Sequence, residues 1–182
     1  MRDFLMGNLV HVVAFATLIS RLGDIGTTFL VAPTLSVEVN PIARRLGWRY
    51  AIATLGVALL PYYSIHGGIV VFTASFLVAA SNASEAMVAR FLGEEKYAAL
   101  NREAMQRLPV LPGLSLLCLP AIFFLMLGLM MLLFFPGSSY GWGFDIAMGT
   151  MVCASAMLIF YPIRFFSVRR LPDSEPAKPC ST

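Results

Sequence analysis

GLSLLCLPAIFFLMLGLMMLLFF, residues 113–135, carries no charged side chain. As a helix it rises about 1.5 Å per residue and so crosses the ~30 Å hydrocarbon core of a bilayer. A helix apolar on every face cannot be covered by one small protein in water, so lipid is the solvent this stretch demands. The whole chain agrees. With 58% hydrophobic and 13% charged residues among 182, and a mean hydropathy of +0.78, it lacks the polar surface of a soluble domain. The formal charge of +3 is small, and its basic residues stand beside apolar runs, which suits anionic lipid headgroups and excludes a nucleic-acid partner. Cys118, Cys153 and Cys180 are too few and too apolar in setting for a disulfide framework or a thiolate metal site.

The fold class read outward from this span is an all-α membrane bundle of about five transmembrane helices plus one interfacial amphipathic helix. The spans are predicted at 5–32, 41–65, 69–92, 113–135 and 144–166, with the amphipathic helix at 93–108. Residues 1–168 form one domain, and the polar, proline-rich 169–182 form a disordered cytoplasmic tail. Ala14-Phe15-Ala16 mimics a signal-peptide cleavage site, but Asp3, Asn8 and His11 spoil that reading and the first run stays a helix. Pro33 ends it, and Asn40-Pro41 reads as the cap and first residue of the next helix. Arg44, Arg45 and Arg49 with Trp48 and Tyr50 anchor that helix at the interface. Ser64 to Gly68 is predicted to be a turn.

Ala74, Ser75, Ala79, Ala80, Ser81, Ala83 and Ser84 make the third span the most closely packed one. In 93–108, Tyr97, Leu100, Ala104 and Leu108 recur at helical spacing, the pattern of a helix lying on the membrane surface or docking a membrane-protein partner. Pro120 is expected to kink the fourth span, and Asp145 suits the N-terminus of the fifth. Basic residues flank the link after span one, the 93–108 segment and the C-terminus. That asymmetry predicts an N-terminus outside and a C-terminus in the cytoplasm of the cell membrane.

The polar residues that break this pattern are concentrated in Asp24–Pro41, DIGTTFLVAPTLSVEVNP. Asp24, Thr27 and Thr28 share a helix face, Glu38 and Asn40 follow on the return link, and Asn82 and Glu85 sit late in span three. Converging oxygen ligands would suit a divalent cation such as Mg²⁺, with Asp24, Glu38, Asn40, Asn82 and Glu85 as candidates. Two acids forced together would instead carry a proton or act as general acid, which nominates Asp24, Glu38 and Glu85. Each group also has a private structural use: Thr27 and Thr28 bonding back to their helix, Asn40 capping, Glu85 pairing with Arg90.

Asp24, Thr27, Thr28, Glu38, Asn40 and Pro41 together form a D-x-x-T-T … E-x-N-P pattern. It resembles that of a family of small prokaryotic multi-pass membrane proteins of unknown function, and Asn82 matches an amide which that family places late in its third helix. The resemblance covers Asp24 to Asn82 and implies no activity. A second grouping, His66 with Met130, Met131, Met148 and Met151, has the ligand softness for Cu(I), although methionine is more often packing. No hydrolase triad, phosphate-binding loop or zincin motif is present. The functional readings are thus a membrane enzyme or ion-coupled carrier using the acids, or an accessory subunit of a membrane complex.

Overall fold

The computed structural model describes residues 2–34, 41–134 and 141–170, and among them it is helical without strands. Four helices are long and apolar enough to cross a membrane: α1 (Arg2–Val31, whose span begins at Asn8), α5 (Ile65–Leu92), α7 (Val110–Phe134) and α8 (Trp142–Arg169). The span predicted at 41–65 is not one helix. It is α2 (Pro41–Leu46), α3 (Trp48–Thr54), a 3₁₀ segment (Leu55–Leu59) and α4 (Leu60–Tyr63). Gly47 interrupts it with φ +63°, a conformation that L side chains rarely adopt. Pro61, inside α4, has no N–H to offer the carbonyl of Val57, and the chain tightens to 3₁₀ just before it.

This composite segment still runs the length of α1, antiparallel to it. At one end Trp48 Nε1 donates to Pro33 O at 3.0 Å, midway Thr54 meets Arg21, and at the other end His11 Nδ1 lies 3.0 Å from the Tyr62 hydroxyl. Among the described residues this broken segment thus lies beside the four helices long and apolar enough to cross a membrane. Ser64 to Gly68, predicted as a turn, is instead the cap and first turn of α5, with Ser64 Oγ accepting from Gly67 N at 3.2 Å. The glycines serve the tight hairpin, since a Cβ on Gly68 would lie 2.5 Å from Pro61 Cγ.

α1 packs along α5, α5 along α8, and α8 along α7. The helix with the most neighbours is α5, as its small residues predict, but the largest buried share belongs to α8. The two approach most closely at Gly149, where an added Cβ would meet the Val70 carbonyl at 2.6 Å. Below that contact Ala121, Cys153 and Met157 form a core with Ala74, Leu77 and Val78.

Gly93, at φ +81°, ends α5 and turns the chain into α6 (Glu94–Arg107). The docked face of α6 is Tyr97 and Met105, both buried, whereas Leu100, Ala104 and Leu108 are exposed. Of the expected stripe, Tyr97 packs on the bundle and the other three residues stay exposed. Both ends of α6 are tied to the bundle, and this sets its rotation. Glu94 accepts from Thr34 N at 3.1 Å and from its hydroxyl at 2.5 Å, and Arg169 Nη1 donates to the carbonyls of Leu108 at 2.6 Å and Met105 at 3.2 Å. The predicted tail, 169–182, lies outside the described residues beyond Arg170. Pro33, Gly93 and Arg170 mark one end of the bundle, here termed the basic end; His66 and Trp142 mark the other.

Candidate functional site

A cavity of about 570 Å³ opens toward the basic end, within the ~300–1,000 Å³ of ordinary ligand pockets. Every helical segment except α4 and the 3₁₀ turn contributes to its wall. Arg21, near the middle of α1, forms its deep end, about 16 Å along the helix from Ala32. Arg21 Nη1 donates to Asp24 Oδ2 at 2.6 Å and to Ser75 Oγ at 3.3 Å, and Nη2 donates to Thr54 Oγ1 at 2.6 Å. The Thr54 hydroxyl spends its own proton on Ala51 O at 2.6 Å, which leaves lone pairs facing the guanidinium. One arginine thus joins α1, α3 and α5 at bilayer depth, its side chain only 17% exposed and that of Asp24 14%. Arg21 Nε is buried without a hydrogen bond, a cost the three-way fork accepts.

Nearer the basic end, Asn82 Nδ2 donates to Thr28 Oγ1 at 3.0 Å, which fixes α5 against α1. Glu85 does not pair with Arg90; its Oε2 accepts from the Tyr97 hydroxyl at 2.7 Å. Burial, and then that hydrogen bond, push the Tyr97 phenol from 10.0 up to about 12, so it remains a donor at any physiological pH. Asn101, one turn after Tyr97, and Arg164 of α8 complete this rim of the cavity.

Of the sequence candidates, Asp24, Thr28, Asn82 and Glu85 all line the cavity. Thr27 does not; its hydroxyl bonds back to Gly23 O at 2.9 Å and Asp24 O at 3.0 Å. Glu38 and Asn40 lie outside the described residues, as does the side chain of Pro41. Among the described residues no group of three or more histidines, cysteines or acids is placed to hold a metal ion. Asp24 accepts from the Arg21 guanidinium. In the grouping of His66 with methionines, two members have evident surroundings. His66 Nδ1 is 2.7 Å from Asp145 Oδ2, and Met130 is 51% exposed on the outer face of α7.

The residues overlooked in the sequence are Arg21, Thr54, Tyr97, Asn101 and Arg164. Arg21 had a legible signal: a cation inside an apolar run, three residues before an acid. Comparison of this chain with known protein families, curated proteins and solved structures finds no match.

Tyr97→Phe tests how far the rim depends on the phenol. Loss of its hydrogen bond to the exposed Glu85 is expected to cost about 1.5 kcal/mol, the low end for a charged acceptor. A phenol with a raised folded pKa contributes stability that is intact below its unfolded value and is lost as pH climbs to about 12. Thermal melts from pH 9 to 12 should therefore converge for parent and variant at the alkaline end. Parallel curves throughout would remove Tyr97 from the account.

Proposed function

We propose that this chain is a multi-pass cell-membrane protein that binds a small molecule in the cavity at its cytoplasmic end. The N-terminus is outside and the C-terminus inside. The observation that carries the reading is the cavity itself: about 570 Å³, lined by an apolar wall from α7 and α8 and by a convergent set of two arginines, two carboxylates, two amides and three phenols. The members on the spans, Arg21, Asp24 and Asn82 among them, are costly there, and such residues mark ligand or ion pathways. The orientation rests on Arg45, Arg49, Arg90, Lys96, Arg102, Arg107, Arg169 and Arg170, which all fall at the basic end. The motif resemblance fits the same placement, since Asp24 and Thr28 line the cavity.

The acids act here as recognition groups rather than as metal ligands. Asp24 is held by Arg21 and Glu85 by Tyr97, so neither carboxylate offers the several open oxygens that Mg²⁺ requires. The test is occupancy. Native mass spectrometry of protein extracted in mild detergent is expected to show a bound small-molecule mass on the parent. That mass should be absent from Ala156→Trp, which fills the cavity, and retained by Ile159→Trp, whose residue lies on the exposed face of the same helix. A parent that carries no adduct from any membrane preparation, or an adduct indifferent to Ala156→Trp, would overturn the reading.

A further inference from the structure

Two features of the cavity, its charge balance and its open side, narrow the class of ligand, and that narrowing rests on the binding function just proposed. Among the described residues the charged groups in the wall are Arg21, Asp24, Glu85 and Arg164, two of each sign. The deep pair, Arg21 and Asp24, is locked together at 2.6 Å. At the rim the carboxylate of Glu85 accepts one hydrogen bond, through Oε2, and Oε1 has no partner among the described residues. α8 supplies the guanidinium of Arg164 and α6 the amide of Asn101 to the same wall. A ligand of net charge would unbalance these two pairs of opposite sign, whereas a zwitterion would not. An ammonium suits the uncommitted oxygen of Glu85, and a phosphate suits a guanidinium and an amide in one wall.

The open side supplies the rest. The packing order places α3 and α7 at the two ends of an arc that runs through α1, α5 and α8. Both border the cavity, yet among the described residues neither packs extensively on the other. On α7 the bordering residues Leu116 and Pro120 are exposed, Leu116 by 61%, so the cavity wall there continues into the lipid-facing surface. A polar head in the cavity with an apolar chain leaving past Leu116 and Pro120 satisfies both features. We infer that the ligand is a zwitterionic aminophospholipid, taken from the cytoplasmic leaflet through the gap between α3 and α7, with its ammonium on Glu85 and its phosphate on Arg164.

The experiment uses the full chain in a non-ionic detergent and reads the melting temperature against lysophosphatidylethanolamine, lysophosphatidylcholine and lysophosphatidylglycerol of one chain length, and against water-soluble glycerophosphoethanolamine. Lysophosphatidylethanolamine is expected to raise the melting temperature at the lowest concentration, because a primary ammonium donates to Glu85 and a quaternary one cannot. Glutamine at 85 keeps an acceptor for Tyr97, so Glu85→Gln is expected to fold and to bind lysophosphatidylethanolamine about tenfold more weakly, which erases its preference over the glycerol lipid. Ile159→Trp should behave as the parent. A glycerophosphoethanolamine shift equal to that of the lysolipid would make the ligand a free headgroup compound and overturn lateral entry. Equal responses to all three lysolipids in the parent, abolished by Ala156→Trp, would overturn the zwitterion while the cavity's function stands. No response in the parent to any of the probes would overturn the inference and count against the binding function with it.

Discussion

Replacing Arg21 with leucine is expected to destabilise the bundle by about 3–5 kcal/mol, the cost of breaking a buried ion pair by removing one partner. The cost arises because Asp24 keeps its position at bilayer depth while its guanidinium, at 2.6 Å, is gone, and because Thr54 and Ser75 lose their shared donor. Three elements are affected at once. Arg21→Lys should fall between parent and leucine, since an ammonium carries the charge but not the planar fork that reaches α3 and α5 together. Arg21→Leu combined with Asp24→Leu should recover much of the loss, because an apolar pair avoids the desolvation that the ion pair must overcome. Thermal unfolding of the four proteins in one detergent measures this order. A parent-like melt for Arg21→Leu would mean that the network does not hold α1, α3 and α5 together.

That network also shows where sequence reading stops. The membrane class and the regular spans were legible because twenty or so apolar residues have one meaning in any context. The segment 41–65 was legible as apolar but not as broken. Its breaks depend on the positive φ of Gly47 and on Pro61 meeting a 3₁₀ turn, which are settled by packing along α1. Asp24, Thr28, Asn82 and Glu85 were found as polar residues late in their spans, and the fold does bring them to one cavity. Their partners were not found. Arg164 reads as a flanking charge that sets orientation, yet the return of α8 beside α6 places it in the wall. Tyr97 reads as one of a surface stripe, and only the ties of Glu94 to Thr34 and Arg169 to Leu108 decide which way α6 is turned. Averaged hydropathy passes over Arg21 because the apolar residues on either side outweigh one cation.

Gly149→Leu should be the other severe substitution, and it acts through shape alone. The first side-chain atom would stand 2.6 Å from the Val70 carbonyl and 2.7 Å from Thr73 Cβ, and a helix backbone cannot swing aside as a long side chain can. α5 and α8 must therefore separate, with an overpacking cost at or above the usual ~1–3 kcal/mol. One turn before it, Asp145, with its side chain 5% exposed, holds the half-exposed His66 at 2.7 Å and joins the same two helices, so separation strains a part-buried hydrogen bond as well. One turn after it, Cys153 packs in the core with Ala121 and Met157 and lines the cavity. The variant is thus expected to melt earlier and also to lose lysolipid binding, although no atom of residue 149 faces the ligand. Gly26→Ala is the contrast. Nothing lies within 4 Å of its added Cβ, and alanine inside a helix gains about 0.5–1 kcal/mol over glycine. If Gly149→Leu melts and binds like the parent while Gly26→Ala does not, the close seam between α5 and α8 is not what shapes the cavity.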